Sequence, residues 1–177
     1  LNAYLTATKL KDYILTVDEQ AALDDLDSVR WGAFSFSQLF DNIVQGRRLK
    51  KQDQVVGKMP FVMSGVTNTG VVHHIGNDVR IFPKNSLTVD LFGNVFYRSF
   101  EYGMGDDTGA YWNADNCIPK FAMLYIATTM QRFMAGKFHF GYKLRSSRSV
   151  DFKIQLPINP DDTPNYDYMS LVISAMQ

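Results

Sequence analysis

The stretch Pro60-Phe61-Val62-Met63-Ser64-Gly65-Val66-Thr67-Asn68-Thr69-Gly70-Val71-Val72 is the point from which the fold of the chain can be worked out. Its two ends are apolar and typical of β-strands, whereas residues 64–70 carry hydroxyls, an amide and two glycines but no charge. The stretch therefore predicts a β-hairpin with a polar tip. Such a tip is either a plain tight turn or a surface that contacts a polar partner, and the residues alone leave both interpretations open.

Strand patterns continue on both sides of this hairpin. Residues 43–44 read as the end of a strand, residues 87–91 alternate apolar and polar side chains, and residues 95–100 return as a strand after a Gly-Asn turn. Residues 103–116 are rich in Gly, Asp and Asn and are predicted to form a loop. The successive hairpins favour an α+β fold (mixed α/β), with a twisted, largely antiparallel sheet or partial barrel and packed helices.

Helices are predicted at several places. Thr16 and Glu19 match a capping box for a short helix through Leu26, and a serine at 35 or 37 caps a brief one. Residues 119–135 repeat apolar side chains every three or four positions and end at Gly136, which suits a C-terminal cap. Thr163 and Pro164 predict the cap and first turn of a last helix, whose buried face comprises Met169, Val172, Ile173 and Met176.

Charge is balanced in total but uneven along the chain. Lys plus Arg and Asp plus Glu each number 18, so the net charge alone does not indicate nucleic acid. Residues 42–58, however, hold five basic side chains against Asp53, and residues 132–153 hold six against Asp151. This distribution predicts a polarised molecule with one basic face.

The length and the cysteine content limit the class of protein. A chain of 177 residues suits one domain with its own core, and the single Cys117 excludes an internal disulfide and fits a reducing compartment. The sequence shows no signal peptide and no apolar run of membrane-spanning length, so a cytoplasmic protein with no membrane partner is expected.

Catalytic motifs are missing from the sequence. His73 and His74 with Asp90 suggest metal ligands, but neighbouring strand residues point to opposite faces and cannot easily share an ion. There is no phosphate-binding P-loop, dinucleotide glycine fingerprint or nucleophilic serine elbow. We therefore predict no catalytic residue, no metal and no cofactor.

Three segments carry side chains suited to nucleic acid. Basic side chains neutralise phosphates, arginine reaches guanine edges with two parallel hydrogen bonds, and hydroxyls and amides bond bases or backbone. The candidate DNA-binding residues are Arg47, Arg48, Lys50, Lys51, Ser64, Thr67, Asn68, Thr69, Lys143, Arg145, Ser146 and Arg148. Each segment on its own reads equally as a solvated loop, so two alternatives stay open: a protein-interaction module and a divergent metal-dependent nuclease.

Several motifs together resemble one known family. They are Trp31-Gly32-Ala33-Phe34, Leu39-Phe40, Gly46-Arg47-Arg48-Leu49, Pro60-Phe61-Val62-Met63-Ser64-Gly65, Thr67-Asn68-Thr69-Gly70, Asp90-Leu91-Phe92-Gly93-Asn94-Val95-Phe96-Tyr97, and Gly141-Tyr142-Lys143 with Arg145. The combination resembles target recognition domains of type I restriction-modification specificity subunits. Among such domains it is most similar to the versions found in fused or two-subunit type IIG and type IIB systems. The likeness runs from about Trp31 to Met169.

This resemblance implies a DNA methylase specificity domain-like fold and a non-catalytic reader of double-stranded DNA that directs methyltransferase and restriction subunits. It divides the chain into a helical flanking segment at 1–30, a target recognition domain at 31–162, and a C-terminal helix at 163–177 that resembles the start of a spacer helix. Two such domains usually read two half-sites in this family. The resemblance therefore implies either part of a two-domain subunit or a half-subunit that pairs with a second copy.

Overall fold

The computed structural model describes residues 14–176 and confirms the α+β class. In chain order the elements are α1 (Val17–Asp24), β1 (Trp31–Ser35), α2 (Phe36–Leu39), β2 (Asn42–Gln45), β3 (Val56–Val62), β4 (Val71–Ile75), β5 (Ser86–Asp90), β6 (Val95–Arg98), β7 (Gly103–Met104), β8 (Thr108–Trp112), α3 (Lys120–Met134), α4 (Ser146–Ser149), β9 (Lys153–Pro157) and α5 (Tyr166–Ala175). Two short 3₁₀ turns lie at Lys51–Asp53 and Thr67–Gly70.

Within the described residues the strands form three sheets. The largest is antiparallel in the order β2-β8-β5-β6, β1 pairs with β9, and β3 lies between antiparallel β4 and parallel β7. The largely antiparallel arrangement predicted from the hairpins is confirmed, and the sheets do not close into a barrel. Helix α3 packs with the four-stranded sheet around one core, to which Phe36, Leu87 and Tyr111 contribute fully buried side chains.

The predicted loop over residues 103–116 is wrong, because β8 occupies its centre. This strand lies between β2 and β5 and is buried at every position, so it shows none of the alternation that marks a half-exposed strand. Its glycine is required by packing: a Cβ on Gly109 would lie 2.8 Å from the Ser146 Cβ. A buried central strand with a glycine resembles a loop in composition.

Local helix signals proved reliable at most helix ends. Thr16 and Glu19 form the predicted capping box, although α1 ends at Asp24, two residues earlier than expected. Ser35 caps α2 in the same way, and Gly136 follows α3 with a φ of 73° in the left-handed region.

The last helix corrects two predictions. Its N-cap is Asn165, whose Oδ1 accepts from the Tyr168 amide at 2.9 Å, rather than Thr163, because Thr163 and Pro164 belong to a preceding turn. Met176 is 68% exposed rather than buried, since it lies beyond the last turn that packs on α1 and α3.

The two flanking helices pack against each other. The Tyr168 hydroxyl donates to the Ala22 carbonyl at 3.0 Å, and the Ser174 hydroxyl donates to the Glu19 carboxylate at 2.6 Å. The domain limits at residues 30 and 162 remain predictions, and the weak helical pattern over residues 1–10 lies outside the described residues. Between residues 14 and 176, every helix is too short or too polar to cross a bilayer.

Candidate functional site

The hairpin formed by β3 and β4 exists as predicted, and its tip has an unusual backbone. The Met63 amide donates to the Gly70 carbonyl at 2.9 Å and closes the tip. Asn68 and Thr69, both exposed, have φ angles of 47° and 52°. A β-branched residue is rarely found in this left-handed region. The tip is therefore held in its conformation by contacts from outside.

Arg98 supplies one set of these contacts. Its side chain is only 1% exposed, and its guanidinium donates to the Thr69 carbonyl at 2.5 Å, to the Thr69 hydroxyl at 3.0 Å and to the Thr88 hydroxyl at 3.0 Å. Burial lowers the pKa of Arg98 to about 10, so the side chain stays charged at neutral pH. These charge-assisted bonds offset the cost of the left-handed Thr69.

Asp90 supplies the second set. The carboxylate is 3% exposed and accepts from the Ser64 hydroxyl and the Gly65 amide, each at 3.1 Å. It also accepts from the Phe92 amide at 2.8 Å, the Asn94 amide at 2.9 Å and the Asn94 side chain at 2.8 Å. Asp90 thus joins the hairpin tip to the β5–β6 turn. We call Asp90 and Arg98 together the tip anchor.

The two basic segments meet the hairpin at the β7–β8 turn, residues 105–107. We call residues 46–51 the early basic segment and residues 143–148 the late basic segment. At the early one, the Arg47 amide donates to the Met104 carbonyl at 3.2 Å. At the late one, the Arg145 guanidinium donates to the Asp106 carbonyl at 2.5 Å. The hairpin joins through the Gly105 amide, which donates to the Val62 carbonyl at 2.9 Å.

Gln45 adds hydrogen bonds at the β7–β8 turn, where the two basic segments and the hairpin meet; we call this contact region the junction. Its side-chain nitrogen donates to the Asp106 carbonyl at 3.0 Å and the Thr108 carbonyl at 2.9 Å, and its oxygen accepts from the Ser146 amide at 2.9 Å. One side chain therefore connects β2, the β7–β8 turn and the late basic segment. Segments separated by as many as 101 positions in the sequence lie at one end of the molecule.

The cations at this end are available to a ligand. Arg47, Arg48, Lys50, Lys51, Arg145 and Arg148 are exposed. Across residues 14–176, Arg30 with Asp162 at 2.6 Å is the single ion pair within 4.0 Å, so no carboxylate of the described chain neutralises these six groups. Such charges can pair with phosphates, and Arg145 does so with the donors that its bond to the Asp106 carbonyl leaves unused.

Not every candidate residue lies on this surface. Thr67, Asn68 and Thr69 are exposed, whereas Ser64 is half-buried and bonded to Asp90. Ser146 is only 5% exposed beneath Gly109. Its hydroxyl therefore faces the interior, and we do not retain Ser146 as a proposed contact.

Sequence reasoning missed Arg80 and the tip anchor. Arg80 is exposed, and its guanidinium lies 5.3 Å from the Phe82 ring centroid, at a cleft of about 280 Å³ shared with Arg47 and Arg48. No local pattern marks Arg80. Asp90 carried a usable signal, since a carboxylate three residues before a glycine turn often accepts its amides.

The metal site that His73, His74 and Asp90 suggest does not form. His73 and His74 are both exposed on β4, whereas Asp90 is buried in the tip anchor. Within the described part of the chain, no group of three or more His, Cys, Asp or Glu side chains is arranged to hold a metal ion.

Comparison with known proteins gives a family match over most of the chain. Residues 28–177 match the family model described as "Type I restriction modification DNA specificity domain". The chain is 26% identical over 167 residues to a type II restriction enzyme specificity subunit, S.BcgI, from Heyndrickxia coagulans. That alignment covers 91% of this chain and 48% of the relative, so the chain spans about half the length of the curated relative it matches.

Solved structures show the same fold at low identity. The S subunit of a type I restriction-modification system from M. genitalium superimposes with a TM-score of 0.61 and 16% identity, over 86% of this chain and 39% of that one. The HsdS subunit from Thermoanaerobacter tengcongensis gives a TM-score of 0.58 and 13% identity, over 91% of this chain and 42% of that one.

Proposed function

Because the chain belongs to the family of type I restriction-modification DNA specificity domains, we propose that it recognises a target sequence in double-stranded DNA without catalysing a reaction itself. The observation that carries this proposal is the junction at the β7–β8 turn. Two basic segments and a polar hairpin tip meet there, and the six exposed cations have no carboxylate partner within residues 14–176. A polyanion supplies the countercharge that this surface lacks.

The segments are assigned different tasks within this proposal. The early basic segment, with Arg47, Arg48, Lys50 and Lys51, holds the phosphate backbone and sets the register. Arg145 and Arg148 read base edges, because arginine alone among the cations offers a planar, two-pronged donor pattern. The exposed tip residues Thr67 and Asn68 hydrogen-bond bases or backbone, while Lys143 adds a phosphate contact.

The partners follow from the same proposal. A non-catalytic reader acts by bringing methyltransferase and restriction subunits to its site, and the paired helices α1 and α5 are the part of the chain that would join them. A second recognition domain or a second copy of this chain would read the other half-site. Such a complex acts on DNA in the cytoplasm, the compartment expected from the sequence.

Selection of bound fragments from a random DNA library tests the proposal. We expect enrichment of one short motif, and retention of the enriched duplex in a gel-shift assay at low salt. A protein that binds no duplex under these conditions, alone or with a second copy, would instead be a protein-interaction module. Lys120→Ala is a suitable control, because Lys120 is exposed at the start of α3 and shares a cleft with Tyr97, whose side chain alternates with Arg98 along β6 and so faces away from the hairpin tip.

Replacement of Arg47 with alanine is expected to weaken binding to all duplexes alike. The loss of one phosphate contact lowers the slope of log affinity against log salt by about one. Binding titrations of the selected and a scrambled duplex over a salt series measure both effects. Lys120→Ala should change neither, and a loss confined to the selected duplex would contradict a phosphate role for Arg47.

Replacement of Arg145 with lysine is expected to separate charge from readout. The charge remains, so affinity for the scrambled duplex stays close to that of the wild type. The two-pronged contact is lost, so affinity for the selected duplex falls by about 1–3 kcal/mol, or roughly 5- to 150-fold. Competition binding with both duplexes measures the ratio. Equal losses on the two duplexes would remove Arg145 from the readers.

A further inference from the structure

An exposed aromatic side chain stands on a rigid turn next to the late basic segment. Residues 139–142 form this turn, in which the His139 amide donates to the Tyr142 carbonyl at 3.1 Å and the Tyr142 amide donates to the His139 carbonyl at 2.9 Å. Phe140 at its tip is 81% exposed, more than any other aromatic side chain in residues 14–176. A ring exposed in this way offers a large apolar face to a partner.

The turn is fixed to the core and cannot easily fold back to cover the ring. Phe138 stacks on Tyr142 with ring centroids 5.8 Å apart, and on Phe152 at 6.3 Å. Phe138 and Phe152 both pack against the main core. The backbone that carries Phe140 is thus ordered before any partner arrives, so the turn itself loses little conformational entropy on binding.

The turn lies at the end of the molecule that carries the candidate site. A Cβ on Gly93 would lie 3.1 Å from the Phe138 ring, which places the turn beside the β5–β6 turn that Asp90 joins to the hairpin tip. The Leu144 amide then donates to the Leu91 carbonyl at 2.9 Å, just before Arg145 reaches the β7–β8 turn. Phe140 and the base readers are therefore carried by one continuous, anchored segment.

The surroundings of the ring are cationic. The Lys143 ammonium lies 4.4 Å from the Phe140 ring centroid, and the exposed Lys137, two residues before the turn, places its ammonium 3.3 Å from the Phe133 ring centroid. Neither lysine has a carboxylate within 4.0 Å among the described residues. A partner that suits both features needs negative charge at its surface and flat apolar faces between the charges, which a duplex offers in its phosphates and stacked bases.

We infer that Phe140 is a wedge that stacks on DNA at a base-pair step beside the sequence read by Arg145 and Arg148, while Lys143 pairs with the adjoining phosphate. This inference rests on the proposed function, because it assigns a second mode of contact to the same DNA. The step would be opened or kinked by the ring, so DNA that bends readily at that position binds more tightly.

The test compares wild type, Phe140→Ala and Phe140→Trp with the control Phe100→Ala on the selected duplex. Phe100 is also an exposed phenylalanine, at 37%, but it lies outside the hairpin, the two basic segments and the turn at 139–142. Phe140→Ala should weaken binding about 10-fold or more, the scale of one aromatic stacking contact, with an unchanged salt slope since no charge is lost. Phe140→Trp keeps an aromatic ring and should bind about as tightly as the wild type. The fluorescence of the added indole should be quenched when the duplex binds.

Each outcome decides between the two proposals. If the wild type binds the duplex and Phe140→Ala binds it equally well, the wedge is overturned and the proposed function stands. The wedge is also overturned if Phe140→Ala loses binding to a methyltransferase subunit but not to DNA, or if the Phe140→Trp indole is not quenched. Absence of duplex binding by the wild type rejects the proposed function itself, and the wedge with it.

Discussion

Replacing Asp90 with alanine is expected to lower the free energy of unfolding by about 3–5 kcal/mol, because it removes a buried charged acceptor from a fully bonded site. Five donors lose their partner at once, and they belong to Ser64, Gly65, Phe92 and Asn94. Two of the donors lie in the hairpin tip, so the tip should also detach from the β5–β6 turn. Urea unfolding followed by tryptophan fluorescence measures the stability.

The matched variants for this experiment are Asp90→Asn and Asp167→Ala. An asparagine keeps the shape and one acceptor oxygen but turns an NH₂ group toward existing donors, so an intermediate loss is expected. Asp167 is exposed in the first turn of α5, where its charge interacts with the helix dipole, and its loss should change stability by no more than about 1 kcal/mol. A stability of Asp90→Ala within about 1 kcal/mol of the wild type would show that water replaces the carboxylate, against the role assigned to Asp90.

Replacing Gly46 with alanine is expected to cost about 2–4 kcal/mol of stability and to weaken binding to every duplex. An added Cβ would lie 2.1 Å from the Gly105 carbonyl oxygen and 2.7 Å from that of Met104. Both obstacles are backbone atoms in strands or their turn, and Gly105 is itself bonded to Val62. The early basic segment must therefore move away, and Arg47 moves with it.

Gly141→Ala provides the comparison for stability. There the added Cβ meets only the exposed His139 side chain, at 3.3 and 3.5 Å, and turning that side chain away breaks one exposed hydrogen bond, which its Nδ1 accepts from the Gly141 amide at 3.2 Å. We expect an unfolding transition close to that of the wild type. For Gly46→Ala, the midpoint of thermal unfolding and the affinity for a duplex are both measured. Wild-type values for both would mean that neither stability nor binding needs the close approach of Gly46 to the Met104 and Gly105 carbonyls.

Local chemistry explains which parts of this fold could be predicted. The capping boxes at Thr16 and Ser35, the helix ending before Gly136 and the pairing of β3 with β4 depend on residues close in the sequence, and the structure contains all of them. The strand β8 could not be predicted, because burial on both faces removes its alternation. Its partners β2 and β5 are set by tertiary packing.

The same distinction applies to the candidate site. The exposure of the basic side chains follows from their charge, so their place on the surface was predictable. The meeting of the two basic segments was not predictable, because the acceptors are main-chain carbonyls of residues 104–108, which carry no sequence signal. They accept from the Arg47 amide and from the Gln45 and Arg145 side chains. The tip anchor acts across 26 and 29 positions of sequence, beyond the reach of any local pattern.

The way the tip anchor bonds has a consequence for the diversification of specificity. The Arg98 guanidinium and the Asp90 carboxylate reach the tip through two main-chain groups, the Thr69 carbonyl and the Gly65 amide, and through the hydroxyls of Thr69 and Ser64. The close approach of Gly46 to residues 104–108 is made by main-chain atoms. The exposed side chains of Val66, Thr67 and Arg148 take no part in either. They form a set that can be randomised without disturbing the scaffold, so a library at these three positions should yield folded variants with new target sequences, whereas Asn68 is kept because of its left-handed backbone and its bond to the Val71 carbonyl.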